Sequence, residues 1–212
     1  LRQTHVTGEA TTDVAPDQAY ITLGVRAQAK EAGAAMEQVS TRMNEVMTSL
    51  GESGIDAKDM QTQQISLHPV WSQVKHDGVD GREVTGFEAS NLLRVTLHDL
   101  DAMGGVLDDV LDAGANEFRG LTFSYSERDA AEDLLRTQAV ENAFKKARQL
   151  AEASGMALGS VREIRDGGPA GGAPMMAMEM ARSSDMPISP GSLSLSHSVS
   201  VTFDIKEPSG PN

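Results

Sequence analysis

Five of the chain's eleven methionines, Met175, Met176, Met178, Met180 and Met186, stand within PMMAMEMARSSDMP, residues 174–187. A thioether offers three kinds of chemistry. It is a soft donor suited to Cu(I), and MMAMEM places several within one helical turn or one short strand, which makes Met175, Met176, Met178 and Met180 the metal candidates. It is oxidised reversibly to a sulfoxide, so the run is also a candidate oxidant trap. It is finally a pliable apolar group that fills an irregular groove on the same or a neighbouring subunit. The third reading is the leading expectation. Five exposed methionines leave apolar surface in water at a cost near 25 cal/mol per Å2, and Gly168, Pro169, Gly171 and Gly172 form a tether that lets the run reach a groove. Met176 and Met180 share a face in helical register, and Pro187 and Pro190 stiffen the return. The run is therefore expected to dock as an assembly arm.

The remaining reactive side chains are scattered. His5, His68, His76, His98 and His197 show no ligand spacing. His197 alone falls on an apolar strand face, where a histidine–carboxylate pair can be buried, and a hydrogen-bonded core or interface histidine is the plain reading. Asp108, Asp109 and Asp112 crowd the C-terminal end of a helical pattern, against its dipole. Asp108 and Asp112 share a face that a cation or basic partner would relieve, and solvated carboxylates are the simpler account. HDGVDG lacks the spacing and terminal Glu of a calcium loop. The chain holds no nucleophile elbow, phosphate loop, dinucleotide fingerprint or HExxH. It has no cysteine, which excludes disulfides, zinc–thiolate sites and thiol nucleophiles. With no catalytic constellation and no cofactor motif, a non-enzymatic protein is expected.

A net charge of −13 repels nucleic acid, and no basic run interleaved with aromatics opposes it. No apolar stretch approaches the ~20 residues of a transmembrane helix. The chain opens at Leu1 rather than Met, which fits removal of a signal peptide.

Period-two alternation marks the elements that must position these groups. Ala19, Ile21, Leu23, Val25 and Ala27 alternate with polar residues, as do Phe87, Ala89, Leu93, Val95 and Leu97. Leu193, Leu195, His197, Val199, Val201, Phe203 and Ile205 face one way, and Ser194 to Asp204 at even positions face the other. Strands are expected near 4–13, 18–29, 60–74, 83–98, 116–127, 158–165 and 192–206. Helical stripes run through Met36, Val39, Met43, Val46, Met47 and Leu50, and through Leu100, Met103, Val106, Leu107, Val110 and Leu111. A third joins Ala139, Ala143, Ala147 and Leu150, with Glu132/Arg136 and Glu141/Lys145 as i,i+4 pairs. Helices are expected near 31–51, 100–113 and 128–154. The fold class is α+β, an antiparallel or mixed sheet with one face covered by three helices. One domain over 1–212 is expected, with a hairpin tip at KHDGVDGR (75–82) and a long Gly/Pro/Met-rich loop at 166–191. Gly86 within a strand implies a bulge or a close backbone approach.

VTGEATTDVAPDQAYITLGV (6–25), GIDAKDMQTQQISLHPVW (54–71), GFEASNLLRVTL (86–97), the alanine-rich helix and PISPGSLSLSHSVSVTFDI (187–205) together resemble the SIMPL-domain family. Gly8, Pro16, Asp17, Gly54, Ile55, Thr62, Gly86, Ala143, Ala147, Pro187, Pro190 and Gly191 match its pattern. Phe87 stands where a tyrosine is usual, and Ser192 where an acidic residue is common. The resemblance covers nearly the whole chain. It implies a periplasmic or otherwise exported α+β protein that assembles into homo-oligomers, including rings. It also implies an association with oxidative stress defence and no defined biochemical activity.

Overall fold

The computed structural model describes residues 2–76, 79–169 and 188–207, with backbone alone over 74–76 and 79–80. In chain order its elements are β1 (Gln3–Val14), β2 (Gln18–Ala29), α1 (Ala32–Glu52), β3 (Met60–His76), β4 (Val79–Leu97), α2 (Met103–Asp112), β5 (Glu117–Ser124), α3 (Arg128–Ala153), β6 (Ala157–Pro169) and β7 (Leu193–Lys206). The class is α+β, as expected. All five strand pairings described are antiparallel. The strands are divided between two sheets, and the chain forms two compact units. No helix among the described residues is long and apolar enough to cross a membrane.

Among the described residues the central unit draws on 17–76, 79–124 and Ile188. Its sheet has the order β3-β4-β2-β5. Alternation puts Ala19, Ile21, Leu23 and Val25 of β2, with Leu93, Val95 and Leu97 of β4, on one face. Val39, Met43, Val46 and Leu50 of α1 and Met103, Val106 and Val110 of α2 complete that core. Met47 and Leu111, expected in the helical stripes, are exposed. Each follows a buried valine by one residue, so it turns about 100° away from the sheet.

Among the described residues the other unit draws on 2–16, 125–169 and 189–207, and its sheet has the order β1-β7-β6. Val6 of β1 and Val199, Val201 and Phe203 of β7 meet Ala139, Ala143 and Ala147 of α3 in its core. The rings of Phe144 and Phe203 meet edge to face, 4.8 Å between centroids. Gly8 permits this closeness, because a Cβ there would run into the Ala139 carbonyl oxygen and the Ala143 backbone nitrogen. Leu150 is exposed and Ala151 is buried in its place. Each step of four residues overshoots a full turn by about 40°, so the small-residue ridge winds around the helix and follows the twisted sheet.

Candidate functional site

His197 sits in the middle strand, opposite Ala10 of β1 and Pro169 of β6, and its side chain is fully buried. The β6 register shifts between Asp166 and Gly168, where a Cβ on Gly167 would lie 2.5 Å from Ser198 Oγ. Asp166 pairs with Val199, on the core face, and its carboxylate reaches diagonally to His197, Oδ1 to Nε2 2.6 Å. A carboxylate only accepts, so Nε2 donates. Asp166 also accepts the Gly168 backbone N–H at 3.0 Å and Arg136 Nε–H at 3.2 Å. The Gly168 N–H, then the His197 N–H, hold the Asp166 carboxyl below its ordinary range. Arg136 bonds Asp133 as well, at 2.6 Å, while Glu132 pairs with Arg128 at 2.8 Å. The expected Glu132/Arg136 pair is thus replaced, because Asp166 and Asp133 draw the guanidinium to the other side. Among the described residues His197 Nδ1 is buried without a hydrogen-bond partner. No hydroxyl among the described residues completes a nucleophilic triad at that nitrogen, and the arrangement works as a clamp between β6, β7 and α3.

On the opposite face of the same sheet, Asp204 Oδ2 accepts Arg162 Nε–H at 2.7 Å and Ser160 Oγ–H at 3.3 Å. Arg162 holds this carboxyl below its ordinary range as well. Beside it, His5 Nδ1 lies 2.7 Å from Thr202 Oγ1.

The central unit carries a denser polar cluster on the face away from its helices. Glu117 pairs with Arg119, and with Arg26 at 2.8 Å, and it accepts Ser90 Oγ–H at 2.9 Å. Burial works against its charge, but these donors outweigh it and depress the carboxyl. Arg26 bonds Glu88 in turn, at 3.2 Å, and Gln28 donates to the same carboxylate at 2.7 Å. Asn116 extends the β-ladder by its side chain, accepting from Arg26 N–H at 2.7 Å and donating to Arg26 C=O at 2.8 Å. These groups bond one another across β2, β4 and β5.

Several sequence candidates stay apart. His98 meets Asp59 at 3.2 Å on the surface, and His68 is exposed. Asp109, with Glu52, Asp101 and Asp112, lines a shallow depression between α1 and α2, and Ser53 Oγ donates to Asp109 at 3.2 Å. Asp108 does not line it. Among the described residues no group of three or more His, Cys, Asp or Glu is placed to hold a metal ion. The methionines Met175, Met176, Met178, Met180 and Met186 lie outside the described residues, as do Asp77 and Gly78 of the HDGVDG loop.

One feature escaped the sequence reading. Ile65, Leu67, Trp71 and Val84 are all exposed. Pairing puts Leu67 with Ala89 and Trp71 with Val84, so the four share the face that α1 covers over β2 and β4. The signal was present in QISLHPVW, whose alternate residues are apolar, but alternation cannot say whether a helix covers them.

The family model described as SIMPL, protein of unknown function (DUF541), matches residues 4–203. The chain is 32% identical over 213 residues to the 26 kDa periplasmic immunogenic protein of Brucella melitensis biotype 1, an alignment spanning 95% of this chain and 84% of that one. It is 33% identical over 159 residues to the uncharacterized protein YggE of Edwardsiella ictaluri, spanning 74% of this chain and 65% of the relative. Against YggE of Escherichia coli strain K12 the identity is 31% over 159 residues, with 74% and 63% covered. The match over 4–203 and these relatives agree: the chain belongs to the SIMPL family.

Proposed function

We propose that this chain is an exported, non-enzymatic SIMPL protein that acts through self-assembly in envelope or oxidative stress defence. The observation that carries the reading is the apolar side of β3, where Ile65, Leu67 and Trp71 face solvent in the isolated chain. Apolar surface of this kind marks an interaction site more often than an idle surface. Export is supported by the Brucella relative, whose name describes it as periplasmic. Sedimentation at tens of micromolar tests the assembly: a particle of several chain masses is expected, and a monomer throughout overturns the reading.

Met175, Met176, Met178, Met180 and Met186 are proposed as an arm that docks on the assembled particle. A second reading gives the first four to Cu(I), because four thioethers within six residues form a soft-donor set. Copper titration with mass detection separates the two: tight, stoichiometric Cu(I) that disappears when the four are changed to serine favours the metal.

A further inference from the structure

We infer that the apolar face of the β3–β4 ribbon is a two-fold interface, on which a second copy of this chain packs the same face in antiparallel alignment. The inference rests on the assembly reading above and names its contact surface.

The ribbon begins where the sheet runs out of neighbours. β2 pairs with β4 from Ala29↔Phe87 to Ala19↔Leu97, so among the described residues 79–86 of β4 have only β3 beside them. Gly86 marks the departure, because a Cβ there would sit 2.8 Å from the Ala29 carbonyl oxygen. A register shift between Val70 and Trp71 leaves Thr85 outside the pairing and sharpens the twist. Two strands alone are marginal in water, and a ribbon gains independent stability from a layer packed on its apolar face.

That face is bare. Ile65 is 58% exposed, Leu67 40%, Trp71 54% and Val84 37%. Pro69 stands between Leu67 and Trp71 with its ring exposed. Proline has no N–H, and its place mid-strand opposes strand addition along the β3 edge while leaving the face open. The occupant is thus a layer over the face, not a strand alongside.

Charge makes this strip the place where a second copy can approach. The chain carries 31 acidic side chains and a net charge of −13, so two copies repel over most approaches. Residues 60–74 contain no Asp, Glu, Lys or Arg. On the apolar face Trp71 and Gln73 stand beside Val84 and Arg82, while Glu83, opposite Ser72, points to the other side. A second copy therefore meets no carboxylate on this strip of β3. The spacing is self-complementary too. Trp71 and Ile65 lie three residues on either side of His68, so a two-fold axis there sets Trp71 of each copy against Ile65 of the other.

Two experiments test this with the full chain. Trp71→Ser with Ile65→Ser is expected to raise the dissociation constant of the particle at least about ten-fold, as loss of a buried aromatic anchor does, with an unchanged melting curve for the dissociated chain. The absence of native cysteine then allows single-site cross-linking. Pro69→Cys should give linked dimers with a short bis-maleimide, whereas His68→Cys, on the opposite face, should not. If the wild type is an oligomer and the double variant keeps its mass, or His68→Cys links as readily as Pro69→Cys, the interface is wrong and self-assembly stands. If the wild type is a monomer throughout, both fall. Binding of the ribbon to lipid vesicles, lost in the double variant with no change of particle mass, also overturns the proposal.

Discussion

His197 Nε2 lies 2.6 Å from Asp166 Oδ1, and His197 Nδ1 is buried with no partner among the described residues, which thus hold a fully enclosed imidazole by one hydrogen bond. That bond joins the middle strand of its sheet to the strand leading into the methionine-rich segment. Replacing His197 by alanine removes the bond and opens a cavity under α3. Loss of a hydrogen bond to a charged group and of buried volume together should cost about 3 kcal/mol. His197→Gln, which can still donate to Asp166, should recover part of this. Chemical denaturation of the three proteins measures both, and equal stability of the alanine variant and the wild type would remove the clamp's structural role.

Gly8 sets the distance between α3 and its sheet. Gly8→Ala drives a methyl into the backbone at Ala139 and Ala143, where no flexible side chain can yield. Destabilisation of about 3 kcal/mol is expected, at the upper end for overpacking. A thermal melt checks it. Gly104→Ala, where nothing lies within 4 Å of the new methyl, is the matched control and should be neutral or slightly stabilising.

The depressed carboxyls predict an acid limit. Asp166, Asp204 and Glu117 all titrate below their ordinary values of 3.8, 3.8 and 4.5. A group depressed by folding adds stability above its unfolded value and loses it as pH falls through the folded value. The melting temperature should therefore hold from neutral pH to about 4.5 and fall steeply below it. Glu117→Gln removes one of these groups and should flatten the descent while lowering the neutral-pH plateau. An unchanged slope would show that Glu117 does not contribute.

Changing Met175, Met176, Met178 and Met180 together to serine tests the arm. A smaller particle, or a lower melting temperature at unchanged secondary structure, is the expected result. If particle mass and melting temperature are both unaltered, the arm has no packing role.

The sequence was sufficient for the α+β class, for the three α-helices and seven strands among the described residues to within a few positions, and for the buried face of each principal strand, because periods of 2 and 3.6 are local properties of a chain that hides one side. Resemblance to the SIMPL family was legible for a related reason: the order and spacing of Gly8, Gly86, Ala143 and Ala147 record close backbone approaches, two of which the fold displays at Gly8 and Gly86. Local pattern could not say which strands share a sheet. β1 and β7 are neighbours over Gln3↔Asp204 to Val14↔Leu193, ends of the chain that only the folded structure brings together. Nor could it supply partners: His197 read as a buried histidine, but the kink at Gly167 that delivers Asp166 to it appears only once β6 is laid against β7. The bare face of β3 was beyond the sequence for the same cause. Ile65 and Leu67 alternate just as Leu93 and Val95 do, and what separates an exposed stripe from a core is where α1 ends its cover, a matter of tertiary packing.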